Sequence, residues 1–197
     1  MGRTAKFDRE AAVEICMHEI WRNGFEACSV KAISEKLGIT RSSFYHAFGN
    51  REALFLEVLA HYFAQTPDRV LGGVGPQTNV RRLLTGFYKD VCRTRAADPE
   101  ARGCMAVNCV SELVGVDEAL GPVLKDAIRF SIDRLESILK TAATNGEIED
   151  DGDLRAKALA LQNLMIGLNV LSKVVRAEDE LLAVAEQTLR GLGLYSE

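Results

Sequence analysis

A chain of 197 residues with 47% apolar content is long enough for one large or two modest domains and rich enough to bury a core. Its net charge of −4 excludes a protein that coats nucleic acid non-specifically. Five cysteines, an odd number with no C-x-x-C pair, exclude a disulfide framework and fit reduced thiols in a reducing compartment. No cluster of His, Cys, Asp or Glu has metal-ligand spacing, so neither a metal nor a cofactor is expected. The N-terminus lacks the apolar run of a secretory signal, and the longest apolar region, 158–175, is broken by Gln162, Asn163, Asn169 and Lys173. A cytoplasmic protein with no membrane partner is expected. Only four prolines occur and no strand-length alternation is sustained, so the class is all-α, with about nine helices.

Charge is uneven along the chain. Through Arg51 eight cations face six anions, a balance of +2, and the remainder therefore carries −6 of the overall −4. The basic end is the candidate for a polyanion partner. Residues 1–6 carry Arg3 and Lys6 with little to bury and read as a basic arm able to touch phosphate or a minor groove.

A first helix is expected from the cap Asp8 to Asn23, stopped by Gly24, with Val13, Cys16, Met17, Ile20 and Trp21 as its apolar stripe. The stretch Ser29 to Phe48 then reads as two short helices joined by a tight turn. Ser29 caps the first, Ile33 and Leu37 share its inner face, and Gly38 supplies the positive φ that ends it. Thr40 caps the second, where Phe44 and Phe48 lie on one face while Arg41, Ser42, Tyr45 and His46 fill the opposite arc. That division suits a helix entering a major groove, although an ordinary amphipathic hairpin has the same spacing. Asn50 caps a fourth helix bearing Leu54, Phe55, Val58, Leu59, Tyr62 and Phe63. Its first turn, with Asn50 and Arg51, is placed to clamp a phosphate.

The run from about Phe7 to Ala64 resembles the DNA-binding domain of the TetR family of transcriptional repressors. The matching residues are Gly24-Phe25-Glu26-Ala27, Ser29, Ile33, Gly38-Ile39-Thr40, Phe44-Tyr45, Phe48 and Arg51-Glu52-Ala53-Leu54-Phe55. Cys16, Cys28 and Ala47 depart from the usual pattern, and both cysteines read as packing residues. The resemblance implies a homodimeric repressor that binds double-stranded operator DNA and is released by a small-molecule effector in the C-terminal half. It also implies that Arg41, Ser42, Tyr45 and His46 contact bases or phosphate, with Arg3, Lys6, Ser29, Thr40, Ser43, Asn50 and Arg51 on the backbone. The expected domains are 1–66 for DNA binding and 67–197 for effector binding and dimerisation.

Within the second domain, Leu71 to Pro76 is a loop. Its glycines do not make a nucleotide site, because no strand precedes them and Pro76 stands where the binding helix would open. A helix from Asn79 to Ala97 carries Leu83, Leu84, Phe87, Tyr88 and Val91. The next helix places Ala106, Val107, Cys109, Val110, Leu113 and Val114 on a wide apolar arc, with Cys104, Asn108 and Ser111 on the other stripe. Cys104 falls in its first turn beside Arg102, and both the helix dipole and a neighbouring cation favour a thiolate.

This segment is similar to the Gly-Cys-apolar-x-Asn stretch of one TetR subgroup, some members of which respond to electrophiles or oxidants through cysteine. A redox or electrophile sensor at Cys104, with Cys92 or Cys109 as resolving thiols, is therefore weighed against a cysteine that merely packs. Phe63, Phe87, Tyr88, Cys104 and Asn108 are the expected effector-lining residues.

A long helix from about Val123 to Thr144 follows Gly121-Pro122, and a further one runs from the cap Asp153 to about Arg176. The apolar arc of the latter is too wide for one neighbour, so with a last helix over Asp179–Arg190 it is assigned to a two-fold interface. The interface residues expected are Leu164, Gly167, Leu168, Leu171, Leu182 and Leu189. The polar stripe of Gln162, Asn169 and Lys173 is read as solvent-facing, with cavity lining as the other reading. No catalytic residues are expected. A small thiol enzyme built on Cys104 lacks an evident base, and a protein-binding hairpin would differ by a flat response to salt with DNA.

Overall fold

The computed structural model describes residues 8–150 and 152–197; the basic arm with Arg3 and Lys6 lies outside the described residues. Nine α-helices and one 3-10 turn follow in order, and no strand occurs among the described residues. They are α1 (Arg9–Asn23), α2 (Val30–Leu37), α3 (Arg41–Phe48), α4 (Arg51–Phe63), the 3-10 turn Pro67–Gly73, α5 (Val80–Ala97), α6 (Met105–Leu113), α7 (Leu120–Thr144), α8 (Leu154–Leu171) and α9 (Glu178–Gly191).

Five of the helix starts are set by a side chain one residue upstream. Asp8, Ser29, Thr40, Asn50 and Asn79 each accept a hydrogen bond from a backbone N–H in the first turn, which satisfies a donor the helix itself cannot use. Gly38 ends α2 in the left-handed region at φ 65°, a conformation that favours glycine.

The chain builds two apolar cores, and they do not divide where α4 ends. The first holds Phe25 of the α1–α2 loop and Phe44, Phe55 and Leu54 of the N-terminal helices together with Met105, Cys109 and Leu113 of α6 and Leu120 and Leu124 of α7. The second holds Phe87, Tyr88, Leu135, Leu139, Leu161, Leu168 and Leu181, where α7 packs on α8 and α5 on α9. At about 1.5–3 kcal/mol for each fully buried large apolar side chain, the contribution of α6 and α7 to the first core is a substantial share of its stability.

Three bounds differ from those expected. Residues 67–73 form a 3-10 turn that takes in Leu71 to Gly73 of the expected loop, with Pro67 at its first position and Leu71 buried, since proline there gives up no needed donor. Helix α7 begins at Leu120, so Gly121 and Pro122 lie inside its first turn, where the Asp117 carboxylate accepts from Ala119 and Leu120. A Cβ on Gly121 would stand 2.9 Å from the Leu113 carbonyl oxygen. Helix α8 stops at Leu171 rather than near Arg176. The Arg176 guanidinium folds back to donate to the carbonyls of Ser172, Ala96 and Asp98, tying the C-terminal ends of α8 and α5 to one cation.

The α5–α6 connection is tightest at Gly103, where φ is +69° and a Cβ would lie 2.4 Å from the Asn169 carbonyl oxygen. Gly103→Ala is therefore expected to cost at least about 2 kcal/mol through backbone strain and overlap with α8. Urea unfolding at fixed pH measures it.

Candidate nucleic-acid interface and the cavity behind it

In the helix pair α2–α3, Phe44 and Phe48 are buried, and Arg41, Ser42, Ser43, Tyr45 and His46 are all exposed. Tyr45 is 52% exposed and stands edge-on to Phe44 at 5.6 Å, so its ring is braced while its hydroxyl points outward. Arg41 and His46 make no hydrogen bond or ion pair among the described residues. The Thr40 hydroxyl oxygen accepts from the Ser43 N–H at 3.1 Å and lies 3.0 Å from the Ser43 hydroxyl. Ser29 and Asn50 use their acceptor oxygens on the backbone of Ala32 and Ala53, which leaves the hydroxyl and amide hydrogens as donors for phosphate.

Two arginines hold this surface in place from behind. Arg51 lies over the Phe25 ring at 4.1 Å and donates to Glu26, so it braces the start of α4 rather than standing open as a phosphate ligand. Arg9 reaches from α1 to Glu57 of α4, to the Ala47 carbonyl and over the Phe48 ring. One guanidinium thus ties α1, α3 and α4 together. Its neighbours in sequence, Asp8 and Glu10, disguise it as part of a solvated charge run.

The segment 98–112 joins this unit to the rest of the chain. The Glu112 carboxylate of α6 accepts the backbone N–H groups of Phe25 at 3.0 Å and Glu26 at 2.8 Å. Arg22 donates to Glu100, and the Trp21 indole donates to the Gly103 carbonyl at 3.2 Å. Arg102 lies over the Trp21 ring at 4.1 Å and binds Asp98 and His18 Nδ1. Arg102 is therefore turned away from Cys104, contrary to its expected role as the activating cation.

The cation behind Cys104 is Arg95 of α5. It is buried, donates to the Gly103 carbonyl at 2.8 Å and to the Tyr62 hydroxyl at 3.3 Å, and Tyr62 in turn donates to the Cys104 sulfur at 3.2 Å. Burial pushes the Tyr62 phenol well up, which keeps it a donor. The sequence signal for Arg95 was its register: it falls on the same face of α5 as Leu84, Tyr88 and Val91, where a cation is out of place.

Tyr62, Arg95 and Cys104 open on a cavity of about 50 Å3, walled also by Phe63, Asp68, Val107, Val110, Gln162, Met165 and Asn169. Of the expected effector-lining residues, Phe63 and Cys104 lie on this wall. Phe87 and Tyr88 do not, because both rings are consumed by the second core. Asn108 is outside it, bonded to the Arg102 carbonyl and to Lys173. Gln162 and Asn169 face the cavity rather than solvent, with Gln162 accepting from Ser131 at 2.7 Å. Cys104 itself caps α6 from outside its first turn, without a side-chain capping bond.

Residues 16–58 match the family model described as bacterial regulatory proteins, tetR family, and residues 80–188 match that of the tetracyclin repressor-like C-terminal domain. The chain belongs to the TetR family. It is a DNA-binding transcription regulator of that family, similar to the HTH-type transcriptional repressor ComR of Escherichia coli K12, with 26% identity over 192 residues that cover 96% of this chain and 90% of ComR. Among solved structures, a cysteine variant of the TetR-family regulator CifR, complexed with 26-bp double-strand operator DNA, superposes with a TM-score of 0.84 at 29% identity, covering 96% of this chain and 98% of CifR. E. coli NemR in its reduced form shares the fold at a TM-score of 0.77 and 21% identity, covering 92% and 95% of the two chains.

Within this TetR-family chain the remaining cysteines are enclosed. Burial pushes the thiols of Cys16 and Cys109 up to about 12 and those of Cys28 and Cys92 up to about 11. Cys92 lies in the second core, whereas Cys109 lies in the first, the one Cys104 packs against, and burial disfavours the thiolate of each. The residues expected at a subunit interface are also redistributed. Leu164, Leu168 and Leu189 are buried within the chain's own second core, and Leu171 and Leu182 are half-buried. The outward face of α8 is made instead by Leu159, Gly167 and Val170, continued by Val174 just beyond it. Because α5 and α7 occupy the wide arc, the exposed apolar face is narrower than the arc. Among the described residues, no helix is long and apolar enough to cross a membrane.

Asp98 anchors the segment that joins the two halves. Burial alone would raise its pKa, but the Arg102 hydrogen bonds outweigh it and hold the carboxyl below its ordinary value. A depressed carboxylate stabilises the fold above the unfolded pKa of about 3.9 and loses that contribution as pH falls through the folded value. Asp98→Asn is expected to lower stability by about 2 kcal/mol at neutral pH. The gap from the parent protein should narrow below about pH 4, read from denaturant melts across a pH series.

Proposed function

We propose that the chain is a homodimeric repressor that binds a pseudo-palindromic operator through α3 and leaves it when an effector occupies the cavity. The observation that carries this reading is the segment 98–112, which touches the cavity at Cys104 and, at Trp21 of α1 and at Phe25 and Glu26 of the loop leading into α2, the support of the helix-turn-helix. Each subunit would lay Arg41, Ser42, Tyr45 and His46 along a major groove. Ser29, Thr40, Ser43 and the Asn50 amide would meet phosphates, and the two copies of α3 would sit about 34–36 Å apart or a multiple of it. The face of Leu159, Gly167, Val170 and Val174 is the candidate dimer surface, with Gly167 permitting close helix approach. An effector need only favour the dimer geometry that misfits the operator, with coupling of about 1–3 kcal/mol. CifR, solved on operator DNA, supports the DNA half of this reading.

Arg41→Ala is expected to weaken operator binding by about 1–3 kcal/mol, the worth of a bidentate contact to guanine, without moving the melting temperature. Fluorescence anisotropy on the DNA flanking its own gene, at fixed salt, tests it; an unchanged affinity removes Arg41 from the interface.

A second reading, release by modification of Cys104, is favoured by the Tyr62 hydroxyl donating to its sulfur and by a cavity that admits only small reagents. Attack of the sulfur on hydrogen peroxide would form the sulfenic acid and release water. Operator release by peroxide is expected in the parent and lost in Cys104→Ser. A variant that dissociates as readily as the parent shows the thiol is not the trigger.

A further inference from the structure

Arg95 is the only buried cation among the described residues, at 5% exposure, and it stands on the cavity wall. Its hydrogen bonds go to two neutral acceptors, the Gly103 carbonyl and the Tyr62 hydroxyl, while its Nε has no partner. No carboxylate lies within 4.0 Å of it among the described residues. A buried guanidinium without a counter-ion is costly, and an unsatisfied buried donor is uncommon enough to need a cause. Asp68, the acid on the same wall, pulls on Arg95 from beyond ion-pair distance, and burial raises its own pKa against the pull of Arg134 and Arg95.

A second orphan lies on the same wall. Asn169 of α8 is 2% exposed; its amide hydrogen goes to the Met165 carbonyl at 2.8 Å, and its Oδ1 has no partner. Arg95 and Asn169 thus place on one cavity wall a positively charged donor and an acceptor whose Nε and Oδ1 lack partners, with Val91, Val107 and Val110 lining the same cavity. Its volume of about 50 Å3 compares with roughly 10–15 Å3 needed for one water on this measure and about 300–1,000 Å3 for drug-sized ligands. Only a compound of a few heavy atoms fits without expansion.

We propose that the cavity binds a short-chain hydroxy acid of about two to four carbons, its carboxylate on the Arg95 guanidinium and its hydroxyl on Asn169 Oδ1. The proposal rests on the reading of this cavity as the effector site. A carboxylate takes two parallel hydrogen bonds from an arginine edge, filling the orphan Nε. The Nε edge is completed by Nη2, so the carboxylate competes with the Tyr62 hydroxyl, which is bonded to the Cys104 sulfur and the Met105 N–H. Nη1 keeps the Gly103 carbonyl, which also receives the Trp21 indole. Ligand entry and the seam to α1 thus meet on one side chain.

The test titrates the full chain by calorimetry with sodium lactate, butyrate and acetate beside lactamide and butyramide, and follows operator anisotropy at constant ionic strength, since DNA affinity is salt-dependent. Lactate is expected to bind most tightly and to release the operator, with lactamide about 10- to 100-fold weaker. Arg95→Lys, which keeps the charge but loses the fork, should erase most of the acid preference, and Asn169→Leu should bring lactate level with butyrate. Amides that bind and release DNA as well as the acids overturn the anion assignment and leave the effector cavity standing. If neither class binds, a cavity-filling Val107→Phe separates the remaining cases. Altered operator affinity in that variant discards the acid alone, and unchanged affinity discards the effector reading as well.

Discussion

The Glu112 carboxylate on two backbone N–H groups is the contact on which the DNA-facing half depends. A carboxylate shared between two amides is a charge-assisted cap, and here it caps the loop carrying Phe25, the ring at the centre of the first core. That loop delivers the chain into α2, and α2 delivers it into α3. The orientation of the exposed edge of α3 is therefore set from α6, a helix far along the sequence. Four short helices bury too little apolar surface to be stable alone, and the side chains from α6 and α7 supply what is missing.

The seam between the halves mixes two kinds of force. Below it lies apolar packing, which is insensitive to salt and small changes in pH. Around it runs a polar belt of Arg22 with Glu100, Arg102 with Asp98 and Trp21, and the indole bond to Gly103. Packing holds the bodies together, while directional bonds fix their angle. Such a joint can re-seat by exchanging a few hydrogen bonds without exposing its core, which is what a regulator with two geometries requires.

The sequence disclosed most where the physics is local. Helix starts at Ser29, Thr40, Asn50 and Asn79 were legible because a cap and the N–H it satisfies lie within three residues. The bounds of α7 and α8 were not, since Gly121 answers to the end of α6 and Arg176 to the carbonyls of α5. The aromatic-in, polar-out division of α3 was legible. The cavity was not: Phe87 and Tyr88 have the composition of a ligand box but were claimed by the second core, and Gln162 and Asn169 looked like a wet stripe because their partners come from other helices. Arg102 drew attention by adjacency to Cys104, whereas proximity in space belongs to Arg95.

The Gly103 carbonyl oxygen receives both the Trp21 indole and the Arg95 guanidinium, one donor from each side of the seam. An acceptor belonging to the main chain is present whatever residue occupies the position, so exchanging side chains cannot delete it. A scan of alanine variants would register its two donors as separate contributors and would miss the atom that they share. Only replacing the amide itself, or measuring the donors as a coupled pair, would reveal that the cavity and the DNA-facing helices converge on a single oxygen.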